Sequence, residues 1–255
     1  MTTVLETEDL RKQFGDLVAV DDVSLAFDGD DITSIIGPNG AGKTTFYNLL
    51  TGVLEPTAGE IWLRKDGDLR EITDAPPHEV ARSGLSRSYQ VTNVFEKLTI
   101  RENLQVARIA HDGRTLDVRS RSATDEALNA RIDELLELTG LTEQAEIRCD
   151  ALSHGEKRSV EIALALAIEP TVFLLDEPTA GMNPTETREI VSLIRDLDEE
   201  LETTFVVTEH DMDVVTDISD RIVVLAEGAV LADGEPRDVL TDERVTEAYL
   251  GSEAV

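Results

Sequence analysis

The chain has 255 residues, of which 53 are acidic and 23 basic, for a net charge of -30 at pH 7. That length buries one large α/β core, and a charge spread along the chain without a basic stripe excludes nucleic acid as the main partner. No apolar run approaches a bilayer span: the best candidate, Ile162 to Ile168, is short and sits between Glu161 and Glu169, so any role at a membrane comes through a partner.

The opening Met1-Thr2-Thr3-Val4-Leu5-Glu6 has neither a charged n-region nor a long apolar stretch, so no signal peptide is expected. Cys149 is the single cysteine, which leaves no internal disulfide and no cysteine metal site, and fits a reducing compartment. The acidic excess repels itself at low salt. At molar salt the Debye length shrinks to about 3 Å and the repulsion fades. The charge therefore predicts a cytoplasmic protein of a halophile, with an ordinary acidic protein as the rival reading.

In chain order, strands are predicted over Thr3–Leu10 and Val18–Phe27, separated by a polar turn at Gly15 and Asp16, as an N-terminal antiparallel β region. A third strand, Ile32–Ile36, runs into Gly37-Pro38-Asn39-Gly40-Ala41-Gly42-Lys43-Thr44-Thr45, and a helix follows to Leu50. Strand, glycine-rich turn and helix are the setting of a phosphate-binding loop. Glycines let the backbone turn its N–H groups onto an anion, and the helix start adds its positive dipole end. Lys43 is suited to the β and γ phosphates, and the Thr44 hydroxyl to Mg²⁺.

Glu60–Leu63 and Leu69–Ile72 read as a hairpin around Asp66-Gly67-Asp68. The period then changes. Ile100–Ala110, Asp125–Thr139 and Ser153–Ile168 have helical spacing of apolar residues, so 91–168 is predicted as a helical lobe inserted into a core of 1–90 and 169–255, with His111–Ser122 a charged loop. Leu152-Ser153-His154-Gly155-Glu156 opens the last of these helices with a capping-box pattern. Val172–Leu175 delivers Asp176-Glu177 at its end: Asp176 to hold Mg²⁺ through water, Glu177 to polarise an attacking water as general base. A helix over Thr185–Glu202 is opened by Asn183-Pro184. Strands at Phe205–Thr208, Ile222–Leu225 and Ala229–Leu231 precede a mainly helical tail, Pro236–Leu250. Strands alternating with helices imply a sheet covered on both faces.

The ordered set of Gly37–Thr45, Gln90, Leu152–Glu156, Asp176-Glu177 and His210 resembles the ATP-binding subunit of an ABC transporter, over nearly the whole chain. Gly84-Leu85-Ser86-Arg87-Ser88-Tyr89-Gln90, the Val94–Leu104 stretch, Ala180-Gly181-Met182-Asn183-Pro184 and Ala248-Tyr249-Leu250-Gly251 are similar to subunits of branched-chain amino-acid importers. Urea-type importers share much of this pattern, and single-cassette ATPases of cluster assembly are a soluble alternative. The resemblance implies a P-loop NTPase core with a helical subdomain, ATP and Mg²⁺ as ligands, and a seat at the cytoplasmic face of the membrane. It implies permease subunits and a second cassette, identical or homologous, as partners, with an extracytoplasmic binding protein acting indirectly. It makes Phe14 the adenine-stacking aromatic, Gln90 the sensor of Mg²⁺ and water, and His210 a γ-phosphate contact. Ser153 and Gly155 then close on ATP held by the other cassette. His154 and Glu156 depart from the usual Gly and Gln, and Asn183 from the usual Asp. A carboxylate aimed at a triphosphate is repelled, so Glu156 is expected to point away or to cap its own helix. His78 and His111 are expected at the surface.

Overall fold

The computed structural model describes residues 2–29, 31–88, 94–112 and 125–252. Gln90 and most of the His111–Ser122 loop lie outside them.

The described residues hold ten strands in two sheets. The strands β1 (Thr3–Phe14) and β2 (Leu17–Asp28) form an antiparallel ladder that closes at Phe14↔Leu17. After β3 (Thr33–Ile36), β4 (Ala58–Lys65) pairs with the other edge of β1 and with β5 (Asp68–Glu71), giving the order β2-β1-β4-β5. The second sheet takes β3 with β6 (Leu85–Arg87), β7 (Val172–Asp176), β8 (Thr204–Thr208), β9 (Arg221–Ala226) and β10 (Ala229–Gly234), in the order β10-β9-β3-β8-β7-β6. Only the β9–β10 hairpin in this sheet is antiparallel. The parallel strands β3, β7 and β8 are buried along nearly their whole length, as strands covered on both faces are.

The helices are α1 (Lys43–Leu50), α2 (Pro77–Ser83), α3 (Ile100–His111), α4 (Glu126–Leu138), α5 (His154–Leu166), α6 (Pro184–Glu200), α7 (Met212–Ile218), α8 (Pro236–Leu240) and α9 (Glu243–Ser252). The chain divides into two compact units. One comprises Met1–Arg87, Thr171–Glu177 and Glu202–Val255 and carries both sheets; the other comprises Ser88–Pro170 and Pro178–Leu201 and carries α3 to α6.

In the first unit a continuous apolar cluster joins Leu5, Phe27, Phe46, Tyr47, Ile61 and Leu174, each buried. Burying a side chain of this size contributes about 1.5–3 kcal/mol. Phe173 and Phe205, neighbours on β7 and β8, pack with ring centroids 5.9 Å apart. In the second unit α3 packs on α4 and α5, and α5 on α6. Its helices start on side-chain caps: Thr99, Ser153 and Asn183 each form a capping box, and Asp125 accepts from the Leu128 N–H. No helix among the described residues is long and apolar enough to cross a membrane.

The register of the parallel strands positions the site. Ile35 lies beside Thr208, and Thr208 beside Asp176. The carboxyl ends of β3, β7 and β8 therefore finish together, which is where open α/β sheets bind ligands.

Candidate functional site

The loop after β3 is set by close backbone approaches. Gly37 has φ +151°, and a Cβ there would fall 2.1 Å from the Leu225 carbonyl oxygen. Gly42 has φ +104°, and its Cβ would fall 2.4 Å from the Ala19 carbonyl oxygen. Side chains are thus excluded by contact as well as by backbone conformation. Gly42 is also the N-cap of α1 and supplies no side-chain cap, and the first turn holds no acidic residue. The opening amides of α1 are left for an anion, which is the arrangement of a phosphate site.

Lys43 opens this helix and donates from Nζ to the carbonyls of Gly37 and, at 3.3 Å, Pro38. Burial pulls its pKa below the usual lysine value, against the opposing pull of Glu177 and then Asp176. Those two carboxylates thus act on Lys43 from the end of β7. Asp176 is held on both oxygens: Arg87 Nη2 donates to Oδ2 at 2.6 Å, and Thr208 Oγ1 donates to Oδ1 at 2.9 Å. Glu177 has φ +46°, strained for a side-chain-bearing residue, and its N–H is fixed by the Thr208 carbonyl at 2.9 Å. Its Oε1 lies 2.8 Å from His210 Nε2. Glu177 is part-buried and His210 more open, so the pair faces solvent at the end of the sheet.

Among the described residues, no group of three or more His, Cys, Asp or Glu is arranged to hold a metal by itself. Mg²⁺ asks for less, because it takes one or two protein oxygens and completes its shell with phosphates and water. Asp176 supplies a carboxylate, which has about four acceptor sites, and Thr44 adds a hydroxyl in the first turn of α1. This hard-oxygen pair fits Mg²⁺ carried in with a triphosphate.

Phe14 is 45% exposed, so it is not the core residue an isolated phenylalanine usually is, and Lys12 Nζ stands 5.2 Å from its ring centroid. Ser153 caps α5: its Oγ accepts from the Glu156 N–H at 3.3 Å, and Glu156 Oε2 accepts from the Ser153 N–H at 2.8 Å. Glu156 therefore caps its own helix, as its spacing predicts. The Ser153 backbone bond, with the hydroxyl second, holds that carboxyl below its ordinary pKa. Ser153 Oγ accepts from the Glu156 N–H, and its hydroxyl also acts on the Glu156 carboxylate. Asn183 caps α6 through Oδ1, which accepts from the N–H groups of Thr185 and Glu186.

The structure thus brings Lys43, Asp176, Glu177 and His210 to the first unit's sheet end, and sets Ser153 and Gly155 on a helix start of the second unit. Arg87 and Thr208 are partners of Asp176 that motif spacing did not single out. Their signal was present but weak: an arginine three residues before Gln90, and a threonine two residues before His210.

Comparison with known proteins follows this geometry. Residues 20–180 match the family model described as ABC transporter, and residues 229–255 match that of the branched-chain amino acid ATP-binding cassette transporter. The chain is 41% identical to the high-affinity branched-chain amino acid transport ATP-binding protein LivG of Salmonella typhimurium over 97% of its own length and 98% of the relative's. It is similar to a crystal structure of an ABC transporter's ATP-binding cassette in the ADP conformation, with TM-score 0.86 and 30% identity, covering 98% of this chain and 100% of that one. It is also similar to a dimeric cassette in a post-hydrolysis state bound to ADP and Pi, with TM-score 0.72 and 27% identity, covering 91% and 99%.

Proposed function

Since the chain belongs to the ABC transporter family and is an ATP-hydrolysing subunit coupled to transport, we propose that it energises an importer of branched-chain amino acids from the cytoplasmic face of the membrane. The observation that carries the chemistry is the meeting of Lys43, Asp176, Glu177 and His210 at one end of the parallel sheet. The substrate class is supported by the likeness to LivG and by the match over residues 229–255.

In this reading the triphosphate lies along Gly37–Thr45 with its charge on the first amides of α1. Lys43 exchanges the carbonyls of Gly37 and Pro38 for phosphate oxygens. Phe14 stacks on adenine, a contact worth about 1–3 kcal/mol. Glu177 removes a proton from a water whose oxygen attacks the γ-phosphorus. The bond from that phosphorus to the bridging oxygen breaks, and ADP and phosphate leave. His210 fixes the Glu177 carboxylate through Nε2 and reaches the γ-phosphate from the same side. Mg²⁺ would be held by Thr44, Asp176 and Gln90, and when bound it neutralises charge on the β and γ oxygens.

A second cassette, identical or homologous, completes the site. Its Ser153 hydroxyl and Gly155 N–H, or their equivalents, close over the γ-phosphate from the start of α5. Two ATPs then hold two cassettes together, and hydrolysis releases them, a ligand switch of the nucleotide type. Permease subunits take up that motion near Gln90 and the helical subdomain of 91–168, and an extracytoplasmic binding protein supplies the amino acid. The net charge of -30 supports a protein that works in molar salt.

The test is Glu177→Gln with the permease reconstituted. General-base catalysis contributes about 10²–10⁴-fold, so turnover is expected to fall by that factor. ATP affinity should hold, and a nucleotide-bound dimer should accumulate on size-exclusion chromatography. Undiminished hydrolysis in that variant would remove Glu177 from the role of base.

A further inference from the structure

Arg87 carries no role in any motif reading, yet it is the best-connected cation of the sheet end. It closes β6, three residues before Gln90, with its side chain only 6% exposed. Nη2 donates to Asp176 Oδ2 at 2.6 Å, and Nη1 donates to Asn48 Oδ1 at 2.7 Å. The guanidinium lies 5.4 Å from the centroid of the Tyr47 ring. One side chain therefore joins two successive residues of α1, the helix that begins at the phosphate loop, to the carboxylate placed for Mg²⁺. A lysine could not hold both oxygen partners in this planar fork.

The arrangement has an electrostatic consequence. Asp176 is part-buried, with a side-chain exposure of 13%, so its neighbours are poorly screened. A divalent cation approaching it alone meets the full charge of Arg87 on the same carboxylate. The repulsion is twice that between two unit charges at equal separation. A cation arriving with a triphosphate meets a site whose added negative charge outweighs the guanidinium.

We infer that Arg87 is a positioning residue that holds Asp176 in the absence of metal and sets the divalent-cation affinity of the site, so that the metal binds with the nucleotide and not before it. The inference rests on the nucleotide reading above. Arg87 acts through Asp176.

The test is Mn²⁺ binding to the full chain, followed by electron paramagnetic resonance of the free ion in 1 M KCl, which suppresses diffuse binding to the acidic surface. Titrations are run with and without a non-hydrolysable ATP analogue. Without nucleotide, Arg87→Met is expected to bind Mn²⁺ at least about tenfold more tightly than the parent, a gain that Asp176→Asn cancels, while Arg87→Lys stays within about threefold. A folded Arg87→Met protein with unchanged Mn²⁺ affinity overturns the inference. Should that variant fail to fold, Asp176→Asn alone decides: it should cost little without the analogue and at least about tenfold with it, and equal losses in the two conditions overturn the inference. Failure of the parent to bind the analogue sinks the nucleotide reading instead, and the nucleotide-free titrations of Arg87→Met still report on Arg87.

Discussion

Two helix starts in this molecule are built in opposite ways. At α1 the N-cap is Gly42, with no side-chain cap and no acid in the first turn. At α5 the N-cap is Ser153, which forms a closed capping box with Glu156. Every helix must satisfy its first amides. The α5 start does so internally, and the α1 start has no side chain of its own for the task, which in the proposed function falls to a ligand. The surrounding charge follows the same division. About one residue in five of the chain is acidic, yet residues 32–54 contain none. In the second unit, a cavity of about 870 Å³ is lined by Glu134, Glu156, Glu186, Glu189 and Asp196 among others. Acidic side chains crowd solvated surfaces and are withheld from the segment that attracts an anion in the proposed function.

The sharpest way to break this contrast is to place a methyl group at each glycine of the two starts. Gly42→Ala forces a left-handed backbone and a contact with the Ala19 carbonyl. Strain of this kind costs about 1–3 kcal/mol, so ATP affinity measured with a fluorescent analogue is expected to fall roughly 10–100-fold. Gly155→Ala meets only the Glu186 side chain, at 3.4 Å. It is expected to leave nucleotide binding by the single chain unchanged. Equal losses in the two variants would show that the bare start of α1 has no special role.

A smaller effect comes from charge. Asn39→Asp puts a carboxylate into the acid-free segment and is expected to weaken ATP binding about tenfold in dilute buffer and about twofold in 1 M KCl, where screening is short-ranged. Glu189→Gln, on the acidic face of α6, is expected to change affinity by less than about twofold. The parent chain should bind ATP more tightly as KCl rises, and its melting temperature should rise as well. Weaker binding in a chain that stays folded throughout the titration would mean that the acid-free segment is already shielded from the rest of the charge.

What the sequence made legible follows from how local each signal is. The phosphate loop, the Asp176-Glu177 strand end, the capping box at Ser153 and the Asn183-Pro184 helix start are written within a few consecutive residues, and the structure places each on the expected element. Three short elements were not legible. Helix α2 buries only Val80, strand β6 spans three residues, and α7 is capped by Asp211 over just seven. None is long enough to show a period. Strand β1 runs on to Phe14 because Lys12, Gln13 and Phe14 find partners on β2 across the Gly15 turn, which their polar character did not suggest. The sheet order and the bonds from Arg87 and Thr208 to Asp176 depend on pairing between strands distant in sequence. Periodicity within one segment carries no record of that pairing.

The smallest expected effect separates the two halves of the α5 cap. Ser153→Ala deletes the acceptor for the Glu156 N–H, which typically costs about 1 kcal/mol of stability. It keeps the backbone N–H of residue 153, the larger of the two influences that hold the Glu156 carboxyl below its ordinary value of 4.5. A carboxyl with a lowered folded-state pKa contributes stability that is present above pH 4.5 and is lost as pH falls through the lowered value. Glu156→Gln abolishes that acid-range loss, whereas Ser153→Ala retains most of it on a lower baseline. Because Glu156 is largely exposed, solvent screening keeps the pH-dependent part well below the cost of the cap itself. Urea denaturation of the two variants between pH 3 and pH 7 resolves the difference. If Ser153→Ala flattened the acid limb as fully as Glu156→Gln, the hydroxyl and not the backbone amide would be the group that holds the carboxylate.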